Sequence, residues 1–185
     1  MSSNKVIIIN GPSGVGKSTI SHILSRSIRK GVHIDVDILR HLVTNYSLTR
    51  EQINLAYRNA ASLTDNFLAA GYTVIIDGVF PAGEDLATFR DALKTANTAI
   101  YVYTLSGRLQ VIQQREAMKT GSKRRRQQVK KLHNSMHADA DKLGIIIDTT
   151  NLGIMETVAH IKALLARGRG KLNNVPRAHK SRGRK

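Results

Sequence analysis

The sequence predicts an α/β protein: a five-stranded parallel sheet sandwiched by helices. Three observations carry this. Short, β-branched runs alternate with longer helical patterns along most of the chain. Those runs are almost continuously apolar rather than alternating, which is the pattern of strands covered by helices on both faces. The 185 residues are the length of one domain, and a hydrophobic content of 41% suffices for a core.

In order, the strands read at Lys5–Asn10, Val32–Asp35, Thr73–Asp77, Ala99–Thr104 and Gly144–Asp148. Helical patterns lie between and after them at 18–29, 38–46, 50–70, 84–95, 107–119, 123–141 and 154–166. The third is the clearest. Ile53, Ala56, Tyr57, Ala60, Leu63, Phe67 and Leu68 recur at spacings of three and four and form one apolar stripe. Residues 1–167 are expected to form the domain. From 168 to 185 glycine, asparagine and proline stand among basic residues with little to bury, so this stretch is expected to be a flexible tail.

The longest apolar runs, Val6–Ile9 and Ile145–Ile147, are far below the roughly 18 residues of a membrane span, and the first is too short for a signal peptide. With no cysteine, a disulfide scaffold and a Cys-ligated metal site are excluded, and a cytoplasmic location is expected. The net charge of +16 is concentrated in two strips. Arg115–Lys131 holds eight basic residues and one acid, Glu116; Arg167–Lys185 holds eight more and no acid. The remainder is close to neutral. Such clustering points to a polyanionic partner, nucleic acid included, although a solvated helix face and a solubilising tail would have the same composition.

Gly11-Pro12-Ser13-Gly14-Val15-Gly16-Lys17-Ser18 fits G-x-x-x-x-G-K-[ST], with a strand before it and a helix after it. Its glycines let backbone N–H groups curl around a phosphate, and the helix amino terminus behind them adds partial positive charge. Lys17 supplies a point charge to the β- and γ-phosphates, and the Ser18 hydroxyl ligates Mg²⁺. Gly11–Ser18 together with Thr19 is therefore the expected ATP-binding segment.

Three further features suit phosphoryl transfer. Asp37 follows the second strand and can accept the proton of an attacking hydroxyl, with Arg40 three residues along to hold a phosphate; the lesser alternative is that Asp37 is a plain helix cap. Asp77 ends an apolar strand in the Walker-B manner, suited to Mg²⁺ or its bound water. Arg115 and Lys119, at i and i+4 in the late basic strip, are placed to close over ATP as a lid spanning about 115–131.

At these residues the chain resembles the small P-loop kinases, a group that includes polynucleotide 5′-hydroxyl kinases, chloramphenicol-phosphotransferase-like enzymes and zeta-type toxins. The resemblance runs from about Lys5 to Arg167. It implies that Asp37 is the general base and that Asp37 with Arg40 is the Asp-x-x-Arg of polynucleotide kinases, whose arginine contacts the acceptor's phosphate. The second lid cation of that group is usually arginine, where this chain has Lys119. Lysine cannot fork two phosphate oxygens, which leaves Arg115 or one of Arg124, Arg125 and Arg126 for that contact. Ile147–Asn151 looks like the last-strand segment near the adenine in related kinases.

Other features are given no role. His133 and His137 have a metal-like i, i+4 spacing, but lysines flank them and no Glu intervenes, so a solvated helix face is expected. Met118, Met136 and Met155 are expected in packing. The functional expectation is an ATP- and Mg²⁺-dependent kinase acting on a hydroxyl, with a nucleic-acid 5′-hydroxyl as first acceptor. The alternatives are a small-molecule phosphotransferase and a P-loop ATPase that docks on RNA without transferring phosphate.

Overall fold

The computed structural model describes residues 5–120 and 123–172. The side chains of Lys119, Arg124 and Arg125 and all residues from Asn173 on lie outside the described residues. Five strands, β1 (Lys5–Asn10), β2 (Gly31–Asp35), β3 (Thr73–Asp77), β4 (Ala99–Ser106) and β5 (Ile145–Asp148), form one sheet in the order β2-β3-β1-β4-β5. Every neighbouring pair is parallel. The helices are α1 (Lys17–Arg26), α2 (Val36–His41), α3 (Arg50–Ala69), α4 (Gly83–Ala92), α5 (Leu109–Thr120), α6 (Lys123–Ala138) and α7 (Ile154–Ala166).

The period of two along each strand splits the core into two layers. Val6 and Ile8 of β1, Val74 and Ile76 of β3 and Val102 of β4 pack on one face with Tyr57, Ala60 and Ala61 of α3, Leu86 and Phe89 of α4 and Met136 of α6. Ile7, Ile9, Ile75, Tyr101 and Tyr103 face the other way, onto Ile20 and Leu24 of α1 and Val158 and Ile161 of α7. A one-residue register slip would exchange the layers. Burial on both faces holds for β1, β3 and β4. It fails at the sheet's edges, where His33 of β2 is only half-buried and Ile146 of β5 is exposed; a strand with one neighbour has fewer atoms to cover it.

Three expected boundaries are corrected. The helix expected at 38–46 begins at Val36, because Asp35 caps it, and ends at His41. Residues 42–49 form a loop that includes Asn45 at φ 57°. The helix expected at 123–141 stops at Ala138, where Asp139 turns its carboxylate onto the Gly83 N–H at 2.6 Å. The expected flexible tail does not begin at Gly168. Val102 N–H donates to Gly170 O at 2.9 Å, Leu172 N–H donates to Ile100 O at 2.8 Å, and the Tyr103 hydroxyl donates to Arg169 O at 2.8 Å. β5 covers only Tyr103 to Ser106, so the first half of β4 has an open edge that residues 170–172 close.

With β1 central and the connections leaving it to either side, the crevice at the carboxyl ends of β3, β1 and β4 is where such a sheet places ligands. The P-loop, Asp35, Asp77 and the start of α5 all lie at that end.

Candidate active site

The chain leaves β1 through Gly11 at φ 141° and passes Gly14 at φ 89° and Gly16 at φ 95°. At two of these a side chain would also collide. A Cβ on Gly11 would stand 2.5 Å from Leu105 O, and one on Gly14 2.6 Å from Ile112 O. The second contact shows that α5, which begins the stretch expected to be a lid, packs directly on the phosphate loop. No side chain caps α1 at Gly16, so its first-turn N–H groups are left for an anion.

Lys17 is buried, and its ammonium donates to Pro12 O at 3.3 Å. Burial pulls its pKa below the ordinary lysine value, against the opposing pull of Asp77, Asp35 and Glu116. A buried cation held among carboxylates with one long hydrogen bond is short of partners, and a phosphate supplies them. Ser18 and Thr19 stand exposed beside it. Val15, expected to bind ATP, has its side chain in the core with Ile20 and Leu105, so only its backbone is available to a ligand.

Asp77 lies in register with Asp35 on the neighbouring strand. Its Oδ2 is buried without a hydrogen-bond partner and stands 3.7 Å from His33 Nε2, too far for a hydrogen bond. An orphaned buried carboxylate oxygen near Lys17, with the Ser18 hydroxyl open to solvent, fits a hydrated cation such as Mg²⁺. Asp35 was not expected here. Its Oδ1 accepts the N–H groups of Asp37 at 2.8 Å and Ile38 at 3.3 Å, which starts α2. Burial and the Asp77 charge raise its pKa above the ordinary carboxylate range. The helix cap is thus Asp35, and Asp37 is free for another task.

Asp37 lines a cavity of about 160 Å³ together with Ser13, Arg40, Tyr46, Glu116, Gln128 and Val129 among others. Arg40 Nη2 donates to Asp37 Oδ1, and the Arg40 guanidinium lies 5.7 Å from the Tyr46 ring centre. Arg40 Nε and the Tyr46 hydroxyl are buried without partners. Polar groups left unsatisfied on one wall mark where a polar ligand would complete the site. Arg40 therefore pairs with Asp37 in this structure and keeps a donor in reserve.

The segment expected to form a lid, 115–131, contributes differently from expectation. Glu116, the single acid of its basic strip, is 4% exposed and reaches both the phosphate loop and the cavity. Arg115 is half-buried on α5, and no described contact ties it to the phosphate loop. The Lys119, Arg124 and Arg125 side chains lie outside the described residues. His133 and His137 do not form a plainly solvated face. Their Nε2 atoms are 3.2 Å apart, His137 lies 3.3 Å from Ser106 Oγ, and His133 lies 3.2 Å from Gly107 O at the end of β4. Met118 and Met155 are exposed, and only Met136 packs in the core. Beyond β5, Thr150 Oγ1 accepts the Arg108 N–H at 2.8 Å and Asn151 accepts Arg108 Nη2 at 3.3 Å, joining Ile147–Asn151 to the entrance of α5.

This arrangement is that of a P-loop nucleotide-binding protein, and the comparisons agree. A family model described as an AAA domain matches residues 6–143, and the chain belongs to that family. Among solved structures, a gluconokinase from Sinorhizobium meliloti 1021 is similar at 18% identity and TM-score 0.66, covering 91% of this chain and 94% of that one. The Mycobacterium tuberculosis APS kinase CysC, in complex with AMPPNP and APS, is similar at 17% identity and TM-score 0.67, over 90% and 99%. A chain of the Pnkp1/Rnl/Hen1 RNA repair complex is similar at 17% identity and TM-score 0.64, over 77% of this chain and 47% of that one. No curated protein matches the sequence. At these identities the likeness is one of fold.

Proposed function

We propose that the protein is an ATP- and Mg²⁺-dependent kinase that transfers the γ-phosphate to an alcohol, with Asp37 as general base. The observation that carries this reading is the cavity. A carboxylate freed from capping duty by Asp35 faces a space of about 160 Å³ whose other walls include Ser13 of the phosphate loop. A simple ATPase has no need of a walled space beside its phosphate loop. In the proposed step Asp37 accepts the acceptor's O–H proton, the oxygen bonds to the γ-phosphorus, and the bond to the bridging oxygen breaks, releasing ADP. Lys17 and the loop amides hold the phosphates. Ser18 and Asp77 would hold Mg²⁺, which neutralises charge on the phosphate oxygens when bound.

The first-choice acceptor is a nucleic-acid 5′-hydroxyl. Asp37 with Arg40 supports it, since the unpartnered Arg40 Nε suits the acceptor's neighbouring phosphate, and the likeness in fold to an RNA repair complex is consistent with it. The cavity's size favours a second reading, an alcohol no larger than a monosaccharide, and the gluconokinase likeness is consistent with that. Transfer of label from γ-labelled ATP, screened over 5′-hydroxyl RNA, 5′-hydroxyl DNA, nucleosides, sugars and antibiotic alcohols, decides between them. Label on the 5′-hydroxyl oligonucleotides supports the first choice, and label confined to small alcohols replaces it with the second. Label on none of them, with inorganic phosphate as the only product, would refute the kinase.

A further inference from the structure

The strands begin at the end of the sheet opposite the phosphate loop, and there charge is segregated. Arg26 and Arg29 with Lys30 lead into β2, and Arg167, Arg169 and Lys171 follow α7. All six are exposed, and none makes an ion pair among the described residues. Helices α1 and α7 pack side by side and run the same way, so their basic ends are neighbours. Lys5 opens β1, and exposed Lys94 lies just before β4.

Acids are nearly absent from this end. Of the 13 acidic residues, only Asp65 and Asp91 lie near the starts of β1 to β4, and both are engaged; Asp139 and Asp141 precede β5, which begins level with Tyr103, partway along β4. Asp65 accepts the N–H groups of Lys94 and Thr95, and Asp91 pairs with Arg90. The others cluster around the phosphate loop, the starts of α3, α4 and α7, and the α6–β5 turn. The basic segment at 168–172 is also fixed. Two main-chain hydrogen bonds, one from the Tyr103 hydroxyl and the packing of Leu172 on the core hold it against β4.

We infer that this basic end is a docking surface for the phosphate backbone of a nucleic-acid duplex, separate from the site of phosphoryl transfer. Arginines outnumber lysines among the six, and their planar forks match phosphate oxygens bidentately. Of the exposed large apolar residues, Ile38, Leu42, Leu48, Met118, Leu152 and Met155 lie toward the opposite end, and only Leu63, late in α3, stands near the basic end among the described residues. The docking surface therefore lacks the apolar anchor that lasting attachment to a bilayer needs. Among the described residues its aromatics, Phe67 and Tyr72, are half-buried edge-to-face against each other with Lys30 over the Tyr72 ring, rather than open for stacking single-stranded bases, which favours a duplex held through its backbone. Beyond Leu172 the sequence adds five more cations and no acid.

The test uses the full chain and a 20-base-pair RNA duplex, 5′-phosphorylated so that it offers no 5′-hydroxyl, with binding followed by fluorescence anisotropy over a salt series. The duplex is expected to bind with and without saturating AMPPNP, because the two sites are at opposite ends. Arg167→Glu/Arg169→Glu/Lys171→Glu should weaken binding at least tenfold near 0.1 M salt and flatten the log–log salt slope by about 0.9 per lost phosphate contact. Arg26→Gln/Arg29→Gln, on another element, should act the same way more weakly, while Lys130→Glu/Lys131→Glu on α6 should leave affinity within about twofold. Circular dichroism melts identify any variant that fails to fold, and the independent second variant keeps the proposal testable if the first does. Failure of the wild type to bind, loss only in the α6 variant, or attachment to phosphatidylserine vesicles in place of the duplex would overturn it.

Discussion

Every residue of the phosphate loop comes from one continuous run, Gly11–Ser18, whereas the cavity at Asp37 draws on that loop, α2, the loop after it, α5 and α6. The loop works through backbone conformation: glycines at positive φ and helix N–H groups face one way, with a single lysine behind them. The cavity works through side chains that meet only when the chain is folded. The first is therefore legible locally and tolerates little change, while the second can change its ligand by changing a few walls.

The largest expected effect lies in the cavity. Asp37→Asn keeps size and polarity but cannot take a proton, so turnover should fall by ~10²–10⁴ with ATP affinity little changed. A steady-state transfer assay alongside ATP titration checks this, and loss of ATP affinity instead would move Asp37 into the nucleotide shell. Next comes Lys17→Ala in the loop. Removing one preorganised charge costs ~3–4 kcal/mol at the transition state, a factor of hundreds in transfer rate. A folded variant with near wild-type transfer would break the loop assignment.

Gly14→Ala probes the contact between loop and lid. Its Cβ meets Ile112 O, and its φ suits only glycine, so strain of about 1–3 kcal/mol should appear as lower thermal stability and ATP affinity reduced about tenfold. Unchanged values would mean that α5 does not rest on the loop in solution.

Asp35→Asn should have the smallest effect, because asparagine also caps a helix. Burial and Asp77 raise the Asp35 pKa, so folding favours its neutral form. Its contribution is full below the unfolded carboxylate pKa and is lost as pH rises through the folded value. Urea midpoints of wild type and variant should therefore diverge in the variant's favour as pH rises from about 4 to 6. Parallel profiles would contradict the Asp35–Asp77 coupling.

The sheet, the phosphate loop and the position of Asp77 could be read from the sequence because each rests on a local pattern: short continuous apolar runs, glycine spacing, an acid at a strand's end. The role of Asp35 could not. Asp35 and Asp37 are equally plausible caps two residues apart, and only the hydrogen bonds from Asp37 N–H and Ile38 N–H distinguish them. Glu116 was visible as the one acid among eight cations, but its meaning depends on α5 folding back onto Gly14. Gly168–Leu172 has the composition of a tail, and nothing local announces that half of β4 lacks a neighbour for it to cover.

The central claim is that the two regions act together, the loop presenting the γ-phosphate and Asp37 presenting the nucleophile. It is tested most directly by the fate of γ-labelled phosphate in a single turnover with excess enzyme and the best acceptor. The wild type should place nearly all label on the acceptor. Asp37→Asn, equally saturated with ATP, should transfer at least a hundredfold more slowly, and slow hydrolysis should then take a larger share of the label. A wild type that releases only inorganic phosphate, or an Asp37→Asn protein that partitions its label as the wild type does, would contradict the account.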